Sequence, residues 1–346
     1  MEITTGVYET LISQAIEEKL KNFSEEKFLI KKSDIDSAES YKMLANYLAE
    51  VVAQVLKSYF SDKDRKVTIS NQVDAVNRIL KFIEDEWVDH NIVTSPDQLS
   101  DESRLQFLRG IYSKVGYTKE QVEEKAKVHP VSGYRVSSLF TGGNDLSMDD
   151  EVRKDIQTAD QIDLIVSFIK FEGLRLLIED LRRFVERGDT KLRVLTTTYI
   201  GATDPKAITL LYDLRQYGNV EIKASYNTKQ ERLHAKAYIF KRNNSFHTAY
   251  IGSSNISRTA LTKGLEWNMR ITSIENPHII NKTQATFDNY WNSDDFESID
   301  SEDALNRFSD AIKKERNFKG PDAEVEYLTR FERKTHQVKS AGKTPI

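Results

Sequence analysis

Apolar residues recur every three to four positions in three stretches of the first third of the chain. Tyr8, Leu11, Ile12, Ala15 and Ile16 form one, Tyr41, Leu44, Ala45, Leu48, Val51 and Val52 a second, and Val73, Val76, Ile79, Leu80 and Ile83 a third. That spacing predicts amphipathic helices, and residues 1–129 read as an all-α N-terminal domain. The pattern changes after His129-Pro130. Short apolar runs at 163–169, 192–198, 220–225, 235–240, 248–252 and 267–272 have the length and composition of strands. Between the first three lie two amphipathic helices. One covers 173–186 and is closed by Gly188; the other runs to Leu214 from Asp204 as N-cap and Pro205 at N1. The order β-α-β-α-β-β-β, with 267–272 as a further strand, predicts a mixed α/β sheet flanked by helices over 130–292. Helical spacing returns around 304–316, and 293–346 reads as a helical C-terminal tail or linker.

Composition narrows the picture without changing it. With 346 residues, 39% hydrophobic and 30% charged, the chain is long enough for about two domains and too apolar to be disordered throughout. The formal charge of −4 does not exclude a nucleic-acid partner, because a local basic face is enough. Cysteine is absent, which excludes disulfides, thiol nucleophiles and thiolate metal sites. No apolar run approaches the roughly 20 residues of a membrane span, and Met1-Glu2-Ile3-Thr4-Thr5 does not begin a secretory signal. A soluble, cytoplasmic protein without a membrane partner is expected. No His, Asp or Glu cluster has metal-ligand spacing, so neither metal nor cofactor is expected.

The chemistry-bearing stretch is Arg232-Leu233-His234-Ala235-Lys236-Ala237-Tyr238-Ile239-Phe240, followed by Gly252-Ser253-Ser254-Asn255 and by Gly264-Leu265-Glu266-Trp267-Asn268. Residues two apart on a strand share a face, so His234 and Lys236 are expected to point one way with Ala235 and Ala237 packed behind. Ser253 and Asn255 share a face at the end of the next strand. An imidazole, an ammonium, an amide and a hydroxyl gathered on one surface are the groups phosphoryl transfer needs. Glu266 can orient an imidazole through its second nitrogen.

His-x-Lys, then Gly-Ser-x-Asn, then a Glu about ten residues on resembles the signature of the phospholipase D superfamily. Residues 192–204, 232–240 and 249–268 are similar to the phospholipase-D-like nuclease module of certain bacterial DEAD/DEAH-box helicases. The resemblance implies a phospholipase-D-like fold for 130–292 and hydrolysis of DNA phosphodiesters through a covalent phosphohistidine, without a metal. It makes His234 the nucleophile or general acid and sets Lys236 on the phosphoryl oxygens. Asn255 and Ser253 would support those oxygens, and Glu266 would orient an imidazole. The family's Asp five residues after the Lys falls on Lys241, and the gap to Gly252 is longer than usual; nuclease branches often lack that Asp. Two imidazoles are required and this chain has one His-x-Lys, so a homodimer with one composite site is implied. Neither a Walker-A segment nor a DEAD-type tetrad is present, so a helicase would be a missing domain or a separate partner. The family context suggests restriction, phage defence or repair.

Two further readings remain. One is a weakly active or inactive DNA-binding module serving a helicase. The other is a phosphodiesterase acting on lipids or small molecules; lipid work calls for an apolar interfacial surface, which the sequence does not display. Around the motif, Lys229, Arg232, Lys241 and Arg242 are candidates for a basic rim touching DNA phosphates, and Thr197 is a candidate phosphate-facing hydroxyl. Ser254 reads as a helix cap. The other histidines read as structural, and Trp87, Trp267 and Trp291 as core or interface residues.

Overall fold

The computed structural model describes residues 11–24, 30, 32, 37–59, 69–86, 114, 118–142, 147–227, 233–262 and 264–319. The chain divides into two compact units, Met1–Gly110 and Ile111–Ile346. The first contains helices α1 (Gln14–Leu20), α2 (Ser37–Tyr59) and α3 (Ile69–Glu86), where the three-to-four spacing predicted helix. Ser13 caps α1 by accepting from the Ile16 N–H. Val73 is the buried apolar residue of α3.

The second unit is built on an eight-stranded sheet of β1 (Ser138–Phe140), β2 (Gln161–Ile165), β3 (Lys191–Thr197), β4 (Asn219–Ser225), β5 (Ala237–Lys241), β6 (Thr248–Gly252), β7 (Asn268–Thr272) and β8 (Glu297–Ser298). Their order is β1-β7-β6-β5-β2-β3-β4-β8. β2, β3 and β4 run parallel, and β5, β6 and β7 pair antiparallel beside them. The C-terminal ends of β2 and β6 and the N-terminal ends of β5 and β7 therefore meet at one end of the sheet.

Helices cover both faces. On one, α5 (Met148–Thr158), α6 (Phe171–Val185), α7 (Pro205–Asp213), α8 (Arg258–Thr262) and α10 (Glu302–Lys319) bury Val152, Leu177, Leu211, Leu261 and Phe308 against Ile162, Leu164, Val194, Tyr238 and Tyr250. On the other, α9 (Pro277–Trp291) sets Ile280, Phe287 and Trp291 over Ile165, Leu195, Ile239, Ala249 and Ile271. Such a two-sided core is what fully buried parallel strands require. α4 (Lys119–Lys127), capped by a Thr118–Gln121 box, precedes the sheet.

Three expectations change. Residues after 292 are more than a tail, since β8 extends the sheet at β4 and Phe308 and Ile312 of α10 enter the core. Asp204 occupies the N-cap position of α7 without a side-chain cap bond there. Its carboxylate instead accepts from the Phe171 N–H at the start of α6 (3.0 Å) and pairs with Arg316 (3.2 Å). Ser257, not Ser254, caps α8, accepting from the Ala260 N–H at 3.2 Å.

Candidate active site

His234 and Lys236 lie in the extended lead-in to β5, which begins as a strand only at Ala237. Ala237 is buried as expected, whereas Ala235 is exposed. Tyr238 and Phe240 pack into the α6–α8 side of the sheet. Lys236 enters that same side and is buried.

The ammonium of Lys236 donates to the Ser167 hydroxyl (3.1 Å) and to the His234 carbonyl (2.6 Å). Both acceptors are neutral. An ammonium carries three N–H donors, so among the described residues one is left over. Burial pushes the Lys236 pKa down to about 8, and the carboxylate of Glu266 opposes that through space without touching it. His234 is exposed, and its ring makes no hydrogen bond among the described residues. Partial desolvation, and then the neighbouring Lys236 charge, hold its pKa below the ordinary value, which favours a neutral, nucleophilic imidazole near pH 7.

Asn255 is placed by the exit of β2. Ile169 bridges Ile256, the Lys170 N–H donates to the Ile256 carbonyl (2.8 Å), and the Phe168 N–H donates to Asn255 Oδ1 (3.1 Å). The amide is thereby fixed one residue from Ser167 and its lysine. Beneath it lies a buried polar scaffold. Asn268 Nδ2 donates to the Ser254 hydroxyl (2.7 Å), the Ser254 N–H to Asn268 Oδ1 (3.2 Å), and the Tyr238 hydroxyl to the Ser254 carbonyl (3.2 Å). Gly252 admits the close approach of β7, because a Cβ there would collide with the Trp267 carbonyl.

The structure thus gathers Lys236, Asn255 and the His234 backbone, with Glu266 near enough to act on the ammonium. Ser253 is oriented differently from the expectation. It follows the Gly252–Asn268 pair, accepts from the Trp267 N–H (3.1 Å) and lies opposite Ala235 by register, outside the Lys236 row. Glu266 makes no hydrogen bond to an imidazole among the described residues. Thr197 is buried; it donates to the Ser225 carbonyl (3.1 Å) and accepts from the Tyr199 N–H (3.1 Å), so its hydroxyl is taken up by the turn.

The expected basic rim is also corrected. Lys241 pairs with Asp163 (2.8 Å) at the far end of β5, and Arg242 is buried against Asp155 (2.6 Å) and Tyr134. Neither borders His234. Lys229 and Arg232 lie outside the described residues. Sequence reasoning missed Ser167 and the Ser254–Asn268–Tyr238 scaffold. The signal for Ser167 was a hydroxyl interrupting the apolar run 163–169. Among the described residues no group of three or more His, Asp or Glu side chains is arranged to hold a metal ion.

Comparison with known proteins agrees with this architecture. Residues 152–291 match the family described as "Cardiolipin synthase, PLD-like domain", and the region has the phospholipase-D-like fold. Among solved structures, Nuc from Salmonella typhimurium, a phospholipase D family member, is 18% identical with a TM-score of 0.37, over 48% of this chain and 100% of that one. NucT from Helicobacter pylori is 16% identical with a TM-score of 0.34, over 44% and 94%. Polyphosphate kinase from Porphyromonas gingivalis is 13% identical with a TM-score of 0.36, over 49% and 24%. No similar curated protein was found. No helix among the described residues is long and apolar enough to cross a membrane.

Proposed function

We propose that this chain is a phosphodiesterase that cleaves DNA at His234 and Lys236, without a metal ion, through a covalent phosphohistidine. The supporting observation is Lys236, a buried ammonium that among the described residues faces only neutral acceptors with one N–H unassigned, next to an exposed imidazole. A phosphate oxygen is the ligand such a group lacks, and a preorganised cation there stabilises charge developing on phosphorus.

In the proposed reaction a neutral His234 attacks phosphorus and forms a P–N bond. The P–O bond to the leaving strand breaks, and that oxygen takes a proton from a second imidazole. Water then attacks the phosphohistidine, giving its proton back to the second imidazole as the P–N bond breaks. Lys236 and the Asn255 amide hold the non-bridging oxygens throughout. Among the described residues one imidazole stands in this setting, so the second comes from His234 of a second copy, and the active unit is a homodimer.

The motif resemblance supports DNA as the substrate. It also supports a cytoplasmic role beside a helicase domain or partner in restriction, phage defence or repair. Incubation of the full chain in EDTA with plasmid and with linear single- and double-stranded DNA tests the reading. Cleavage is expected to persist in chelator and to vanish in His234→Ala. Cleavage that stops in chelator and returns with magnesium would overturn it, and retention of DNA without cleavage by either protein would favour the binding-module reading. If exchanged mixtures of wild-type and His234→Ala chains form inert mixed dimers, activity falls as the square of the wild-type fraction. A linear fall would refute the composite site.

A further inference from the structure

Five consecutive residues carry the β2–α6 connection past the site, and each is tied down. Toward the site, the Ser167 hydroxyl accepts from Lys236 (3.1 Å), the Phe168 N–H donates to Asn255 Oδ1 (3.1 Å), and the Lys170 N–H donates to the Ile256 carbonyl (2.8 Å). Away from it, the Ile169 carbonyl accepts from the Asp204 N–H (2.8 Å), and the Phe171 N–H donates to Asp204 Oδ2 (3.0 Å). Asp204 ends a turn that leaves β3 through Ile200 and Gly201, both in the left-handed region at φ 56° and 66°. A β-branched residue is strained there and keeps that conformation only where its surroundings over-determine it. The restraint comes from the C-terminal part of α10. Arg316 Nε donates to the Gly201 carbonyl (2.8 Å), and Arg316 Nη2 donates to the Thr203 carbonyl (3.2 Å) and to Asp204 Oδ1 (3.2 Å). A Cβ on Gly201 would lie 2.5 Å from Arg316 Cγ, so only glycine admits the arginine. Phe308 and Ile312 of the same helix are fully buried and anchor it to the core.

We propose that Arg316 is a positioning residue for the site: through Asp204 it holds residues 167–171 in the register that sets Ser167 against Lys236 and Phe168 against Asn255. The catalytic consequence rests on the phosphodiesterase reading; the mechanical link does not. That link is short. Arg316 and the Phe171 N–H engage the two oxygens of one carboxylate, so the guanidinium and the start of α6 move together. A planar guanidinium, its donors in a fixed fork, suits three acceptors on one turn, whereas a single ammonium reaches them one at a time. α10 lies outside the matched residues 152–291, so the site is braced from beyond the phospholipase-D-like segment. Groups that hold phosphoryl oxygens act through placement, and a displacement of about 1 Å costs on the order of 10²-fold in rate.

The test compares the full chain with Arg316→Ala, Arg316→Lys and, as a control on the same helix, Lys313→Ala, whose ion pair with Asp310 is exposed. Hydrogen–deuterium exchange over 166–171 and steady-state DNA cleavage are measured on each. Arg316→Ala should speed exchange over 166–171 about tenfold, as loss of one charged hydrogen bond does, while β3 and β5 stay protected. Its kcat should fall about tenfold with KM near wild type, the pattern of donors misplaced in the transition state while substrate still binds. Arg316→Lys should fall between the two, and Lys313→Ala should match wild type in both measurements. Faster exchange with an unchanged kcat, or a lower kcat with unchanged exchange, would overturn the positioning role. Faster exchange throughout the unit in both arginine variants, with a lower thermal midpoint, would reduce Arg316 to a structural brace and overturn it too. A wild-type chain that cleaves no DNA would sink the phosphodiesterase reading, while a local rise in exchange would still uphold the link from Arg316 to the Lys236 site.

Discussion

The β5–β6–β7 sheet buries cations at both of its ends, and the two ends treat them oppositely. At one end Arg270 and Arg242 converge on Asp155, at 3.0 and 2.6 Å, with the Tyr250 hydroxyl donating to the same carboxylate at 2.7 Å. Burial opposes ionisation of Asp155, but Arg270 and then Arg242 outweigh it and hold its carboxyl below the usual range. Burial likewise opposes the charge on Arg270, and Asp155 more than restores it. At the other end Lys236 is buried against a hydroxyl and a carbonyl, with no carboxylate in contact among the described residues, and its pKa falls to about 8. A matched cluster fixes the fold. An unmatched cation is a standing electrostatic cost, retained where a ligand supplies the missing anion.

The largest expected effect lies at the matched end. Asp155→Ala strands two buried guanidinium groups, and such losses cost about 3–5 kcal/mol. Urea denaturation should show that drop, and a loss below about 1 kcal/mol would mean the cluster is not the structural keystone described.

Lys236→Met should separate activity from stability. Cleavage should fall about 10²–10³-fold, the usual consequence of removing one preorganised charge-stabilising donor. Stability at pH 7 should rise by roughly 1–3 kcal/mol, because a depressed lysine pKa means the folded state disfavours the charged form by about 1.4 kcal/mol per unit, discounted for partial solvation. The sign is specific. That burden is fully present below pH 8 and is relieved as pH climbs from about 8 toward the unfolded lysine value, so the stability gap between variant and wild type should narrow there. A variant less stable than wild type at pH 7 would contradict unmatched burial.

The smallest effect sharpens the comparison further. Loss of an acceptor from a charged donor is worth about 1.5–3 kcal/mol, so Ser167→Ala should lower kcat/KM about tenfold. It should also move the alkaline limb of the pH profile, near 8 in wild type, to lower pH. The acid limb, set by His234, should lie below the ordinary histidine value and stay in place. An unmoved alkaline limb would reduce Ser167 to packing.

Helices, strands and the fold were legible because period-3.6 and period-2 patterns and the His-x-Lys, Gly-Ser-x-Asn and Gly-Leu-Glu-Trp-Asn spellings are local. The matched end was not. Asp155 meets Arg270 across 115 residues, and nothing in Lys241-Arg242 distinguishes a basic rim from two buried ion pairs. Ser167 was hidden for the same reason, its lysine lying 69 residues away. The site end of β5 was also misdrawn, since strand alternation was extended to His234 where the backbone is no longer a strand.

The most direct test is the titration of the Lys236 ammonium by NMR in the full chain labelled at lysine side chains, assigned by the signal missing from Lys236→Met. The expected midpoint is near 8 and rises when inorganic phosphate is added, because the anion supplies what the fold withholds. A midpoint at the ordinary lysine value of about 10.4, unmoved by phosphate, would contradict it.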